Sequence, residues 1–223
     1  MSPLPVLALL FWATITGLDL ASLIQGLFNR PLVAGAVTGV ILGDPESGLR
    51  IGAALELFAL DVLPIGASRY GDYGAATVAA VVLGTGQWWE VALGESVVLG
   101  LVLAYAGGWT VVVSRRLTMR VVRHAAAALD RGDPGVAQRV HLIGLVTDLI
   151  RCAVLAAAGL GCAVLLRQAP PLDLETGQSL TLVALAGGFA AVIGGALRRA
   201  GTLRRISWLV AGVGLGALGL GLR

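Results

Sequence analysis

The chain of 223 residues contains no lysine; its 16 basic side chains are all arginine. A Gly-x-x-x-x-Gly-Lys-Ser/Thr loop therefore cannot form, which excludes an ATP-driven pump built on this chain. Charge of either sign is scarce. Charged residues make up 13% of the sequence, about half the roughly 25% of a soluble domain. Histidine and cysteine are nearly absent: His124, His141, Cys152 and Cys162 are all there is. Neither histidine has an acid nearby in sequence to orient it, so neither is read as a catalytic or phosphoryl-accepting group. The two cysteines share one apolar run without ligand neighbours and read as inert buried thiols. No metal, cofactor or Ser/His/Asp set is expected. A nucleic-acid partner is not expected either, because the arginines flank apolar runs and account for membrane topology.

Apolar residues are abundant. Hydrophobic side chains make up 57% of the chain, and the mean hydropathy is +0.88. Most of the chain must lie in a bilayer, where every backbone polar group needs an internal partner. The expected fold is therefore an all-α integral membrane protein. It is a multi-span helical bundle that contains short broken or re-entrant hairpins.

The expected spans are Val6 to Phe28, Val91 to Val113, Val140 to Leu166, Leu180 to Leu197 and Ile206 to Leu222. The first lacks a basic leader and is too long for a secretory signal, so it reads as a retained membrane segment. Residues 1–223 form a single membrane domain with two helical halves, 1–113 and 140–223. Residues 114–139 form a basic loop between them. That loop holds Arg115, Arg116, Arg120, Arg123, Arg131 and Arg139, and the positive-inside rule puts it in the cytoplasm. Its middle, Val121 to Leu129, reads as helical, and Asp130 to Gly135 as a turn. Contact with anionic lipid is a second use for these arginines, though topology alone explains them. Asp148 and Arg151 lie one helical turn apart and are expected to pair.

The first half is organised around a glycine-rich hairpin, residues 30–77. Leu32 to Gly43 carries Gly35, Gly39 and Gly43. Leu49 to Leu63 continues from Gly48 with Gly52 and Glu56. Residues four apart share a helix face, so each segment presents a glycine groove, and the second groove ends at a carboxylate. At 1.5 Å per residue these segments reach roughly 18 to 23 Å, short of a hydrocarbon core of about 30 Å. Short glycine-interrupted segments with an intramembrane acid point to a transport site, and a purely structural hairpin is the alternative. Asp19, Gln25, Thr38, Glu56, Asp61, Ser68 and Asp72 are the polar groups of this half. Carboxylates and amides suit hydroxyl-rich solutes, and they suit a cation equally well. No strong internal repeat is visible.

Arg30-Pro31-Leu32-Val33-Ala34, then Gly39 to Asp44, Gly52 to Leu57, Ile65-Gly66-Ala67 and Asp72 form an ordered set of motifs. This set resembles the IIC membrane subunit of the mannose-fructose-sorbose family of phosphotransferase systems. The match is dense over about residues 25 to 82 and collinear afterwards. The resemblance implies a multi-pass protein of the bacterial inner membrane, all-helical with re-entrant hairpins. It implies a IID membrane partner and a trimer of IIC–IID pairs. Cytoplasmic IIA and IIB would carry the phosphoryl groups, so this subunit is a permease component and not an enzyme by itself. The substrate would be a hexose, amino sugar or ketose. Glu56, Gly66, Ala67, Asp72 and Gln25 are the substrate-site candidates, and Gly35, Gly39, Gly43, Gly48 and Gly52 the structural ones. Two departures stand out: Pro64 occupies a position where a polar residue is expected, and the chain is short. They keep two alternatives in view, a non-transporting assembly or signalling subunit and an ion-coupled small-solute carrier.

Overall fold

The computed structural model describes residues 3–22, 25–60, 70–86, 89–170, 172–200, 207–208 and 210–212. Among the described residues there are seven helices and no strand. They are α1 (Pro3–Asp19), α2 (Pro31–Leu42), α3 (Pro45–Ala59), α4 (Tyr73–Gly84), α5 (Trp89–Asp130), α6 (Pro134–Leu166) and α7 (Leu174–Ala200). The all-helical expectation holds. It follows from the need of each segment to satisfy its own backbone where water is absent.

The helix ends follow local chemistry. Pro31, Pro45 and Pro134 each open a helix, where a missing N–H costs nothing. Asp44 caps α3 by accepting from Ser47 N at 3.1 Å. Asp133 caps α6 by accepting from the N–H groups of Gly135 and Val136. Asp173 does the same for Thr176 ahead of α7. Hydrogen bonds from the Thr176 backbone and side chain hold the Asp173 carboxyl below its ordinary range.

α4 is the centre of the bundle. Every residue from Gly74 to Gly84 is buried, and α1, α2, α3, α5 and α6 all pack on it. A helix apolar on all sides belongs in a core, and this one has only 12 residues, about 18 Å. α2 and α3 form the glycine hairpin, in which the backbones touch. A Cβ on Gly39 would lie 2.7 Å from Asp44 O, and one on Gly52 would lie 2.6 Å from Pro31 O. Gly43 departs from the expected stripe. Its φ of +76° closes α2, and a Cβ there would meet nothing within 4 Å.

Among the described residues, three helices contain stretches long and apolar enough to cross a membrane: Leu93–Asp130, Pro134–Leu166 and Leu174–Gly195. Two expectations change. The first span was expected over Val6 to Phe28, but α1 stops at Asp19, whose carboxylate turns back to take the N–H groups of Gly26 and Asn29. The basic stretch 114–139 was expected as a loop; its helical middle, Val121 to Leu129, and a turn within Asp130 to Gly135 are found, but the flanking residues are helical as well. The two arms are continuous with α5 and α6, and Gly132, at φ +76°, makes the reversal. α5 has 42 residues, about 63 Å, roughly twice the hydrocarbon thickness. The last expected span, Ile206 to Leu222, lies almost wholly outside the described residues.

Candidate functional site

The glycine contacts set an antiparallel register for α2 and α3. Continued one turn beyond Gly52, that register brings Arg30, just ahead of α2, beside Glu56 near the end of α3. The two side chains form an ion pair. The second Glu56 oxygen accepts from Leu32 N at 3.1 Å, one of the unpaired donors at the start of α2. The helix dipole favours a carboxylate there. Side-chain exposure is 31% for Arg30 and 17% for Glu56, so the pair faces out of the packed hairpin. A carboxylate has about four acceptor positions, so Glu56 can take a further hydroxyl without losing these two bonds.

A second cluster lies inside the bundle. Arg151, on α6, donates from Nε to Asp148 Oδ1 at 2.6 Å and from Nη1 to Asp72 Oδ2 at 2.8 Å. It also reaches Thr110 Oγ1 on α5 at 3.3 Å, the Gly17 carbonyl on α1 at 3.4 Å and Cys152 Sγ at 3.1 Å. Ser22 donates to the other oxygen of Asp148. Asp72 is fully buried, and its Oδ1 has no hydrogen-bond partner. Two carboxylates thus share one guanidinium. Glycine brings α5 onto Asp72: a Cβ on Gly107 would lie 2.6 Å from Asp72 Cβ. The cluster clamps α1, α4, α5 and α6 together where ionised groups would otherwise meet hydrocarbon.

The expected site residues are therefore divided. Glu56 stands at the open end of the hairpin. Asp72 sits in the buried clamp, bonded to the Arg151 that was expected to serve Asp148 alone. Gln25 is exposed in the segment after α1, with a left-handed φ of 51°, and Leu27 follows at 69°. The grip of Asp19 on Gly26 and Asn29 accompanies that backbone shape. Gly66 and Ala67, together with Asp61, Pro64 and Ser68, lie outside the described residues. Thr38 is buried and satisfied by Ala34 O at 2.6 Å. Cys152 is buried as expected, but Cys162 is exposed on its helix; both are free thiols. No group of three or more metal-binding side chains exists among the described residues.

The sequence reading missed Arg30, Thr110 and Ser22. Arg30 could have been found from the hairpin register. The other two are single hydroxyls, Thr110 in the apolar part of α5 and Ser22 in the turn after α1, and no spacing marks them.

These features define an all-helical multi-pass membrane protein, built on a backbone-packed glycine hairpin and a buried ion cluster. A family model described as "PTS system sorbose-specific iic component" matches residues 4–200, and the chain belongs to that family. Among its relatives is the mannose-specific EIIC component of Escherichia coli K12, 28% identical over 173 residues, or 76% of this chain and 63% of that protein. Another is the fructose permease IIC component of Bacillus subtilis, 29% identical over 69% of this chain and 56% of that protein. A third is the sorbose-specific EIIC component of Klebsiella pneumoniae, 28% identical over 88% of this chain and 73% of that protein. The chain thus spans less than two thirds of the mannose and fructose relatives. In the cryo-EM structure of the mannose transporter ManYZ with microcin E492, a chain aligns with all of this one. It is covered to 94%, with a TM-score of 0.61 and 24% identity. A second solved chain, described as a membrane protein, aligns with a TM-score of 0.65 and 25% identity, again over 100% and 94%. The family expected from the Arg-Pro, Leu-Gly-Asp and Leu-Glu motifs is the family found.

Proposed function

We propose that the chain is the sugar-translocating IIC subunit of a phosphoenolpyruvate-dependent phosphotransferase system of the mannose, fructose, sorbose and N-acetylgalactosamine type. It works in the bacterial inner membrane beside a IID subunit, in a trimer of IIC–IID pairs. The observation that carries this reading is the glycine hairpin ending in the Arg30–Glu56 pair, within a chain whose family match runs from residue 4 to 200. A hydroxyl-rich solute finds acceptors in Glu56 and Gln25, and Gly66 and Ala67 are kept as candidates from the sequence alone. Asp72 serves by holding the start of α4. In this reading phosphoryl transfer falls to partner IIA and IIB subunits. The arginine-rich end of the α5–α6 arms faces the cytoplasm in this arrangement.

Purification of the tagged chain from native membranes in mild detergent tests the assembly. A second multi-span subunit of IID type is expected to come with it, and isolation of the chain alone would contradict the pairing. Pro64, where a polar residue is expected, favours one second reading, a subunit kept for assembly with a degenerate site. Sugar binding by the purified complex excludes that reading.

A further inference from the structure

The long arms of α5 and α6 enclose an open groove of about 870 Å³. One face comes from α5, with Val111, Arg115, Thr118 and Val122 at helical spacing. The facing wall comes from α6, with Val140, His141, Gly144 and Leu145. Most of the lining is apolar. Its polar groups are Ser114, Arg115 and Thr118, just past the end of the apolar run of α5 at Val113, His141 on α6, and Ser22 with Asp148, whose carboxylate is already held by Arg151 and Ser22. Arg115 is set on the wall by Tyr70: it donates to the Tyr70 hydroxyl at 2.5 Å and lies 5.0 Å from the ring centroid. Arg116, Arg120 and Arg139 are exposed on the same two arms.

We infer that this groove seats an anionic phospholipid, with acyl chain along the apolar walls and headgroup phosphate at Arg115 and His141. Three features point to that occupant. The groove opens at the level of the headgroups, because the apolar run stops within it. Its lining is mostly apolar, and Arg115 and His141 stand on its two facing walls. The surrounding charge is positive, and basic pockets between membrane helices suit anionic headgroups. A purely topological role explains arginines at a membrane boundary, but not a groove between them.

Native mass spectrometry tests the assignment. The full chain, with its co-purifying subunits, is incubated with an equal mixture of dioleoyl phosphatidylglycerol and dioleoyl phosphatidylcholine. Retention of phosphatidylglycerol over phosphatidylcholine by about fivefold or more is expected, the scale set by one basic side chain at a membrane surface. The double variant Arg115→Gln/His141→Gln is expected to bring the two lipids close to parity. Arg123→Gln, which carries a surface charge outside the groove, should leave the preference in place. Gly144→Leu keeps Arg115 and His141 and fills the groove, so it should lose both lipids while its melting temperature shows an intact fold. Equal retention of the two lipids by the natural chain would overturn the assignment. Loss of preference in Arg123→Gln, or undiminished retention in Gly144→Leu, would do the same. Displacement by millimolar inorganic phosphate alone would make this a small-anion site. No retained lipid, together with cross-linking of a co-purifying subunit from position 118, would make it a protein interface.

Discussion

Arg151 ties four helices through one guanidinium, and the energetics of that arrangement are lopsided. Removing the cation strands two buried carboxylates, whereas removing one carboxylate leaves a balanced pair with Asp148. Arg151→Met is therefore expected to cost about 3 to 5 kcal/mol, the scale for breaking a buried pair from one side. Asp72→Asn should cost about 1 kcal/mol or less, since one Asp72 oxygen is already unpartnered. The combination Arg151→Met/Asp72→Asn should be more stable than Arg151→Met alone. Thermal unfolding in detergent reads all three, and a double variant no better than Arg151→Met would mean that the carboxylates do not compete for one partner. Glu56 poses a different case. It is partly open, so Glu56→Gln should leave insertion and folding within roughly 1 to 2 kcal/mol of the natural chain. Sugar uptake should nevertheless be lost. Uptake undiminished in a well-inserted Glu56→Gln protein would remove Glu56 from the sugar pathway.

At the scale of elements, the α2–α3 hairpin was readable from the sequence because its glycines recur every four residues. What spacing could not separate was packing from turning. Gly35, Gly39, Gly48 and Gly52 meet backbone across the hairpin, while Gly43 supplies a left-handed cap. The two jobs predict different penalties. Gly52→Ala drives a methyl into Pro31 O and forces the helices apart, at roughly 2 kcal/mol or more. Gly43→Ala meets no neighbour and carries only the backbone penalty, about 1 kcal/mol. Gly161, in α6 with nothing within 4 Å, should gain up to about 1 kcal/mol on replacement by alanine. Melting temperatures ranked in any other order would contradict this division. The arms were misread for a related reason. Arginine clusters interrupt hydropathy but not helix propensity, so α5 continues through Arg115 and Arg116 where a hydropathy reading ends the span. α1 failed in the opposite direction, because nothing in its apolar pattern shows that Asp19 folds back onto Gly26 and Asn29.

For the molecule as a whole, the fold class and family were readable from composition and from one ordered set of motifs. The site was readable only in part. Asp148 and Arg151 announce each other by lying one turn apart, whereas Asp72 reaches Arg151 across 79 positions, and no local rule connects them. The packed bundle assigns its ionisable groups two kinds of place. The Arg151 cluster is closed and holds helices together, and the Arg30–Glu56 pair is open at the end of a hairpin. The central claim is that the open end belongs to a sugar path driven by phosphoenolpyruvate. Its most direct test is radiolabelled sugar uptake into membrane vesicles that carry the chain, its co-purifying subunits and the cytoplasmic phosphocarriers, with and without phosphoenolpyruvate and an uncoupler. The account predicts accumulation of sugar phosphate that requires phosphoenolpyruvate and survives the uncoupler. Accumulation of free sugar that ignores phosphoenolpyruvate and collapses with the uncoupler would contradict it and establish an ion-coupled carrier.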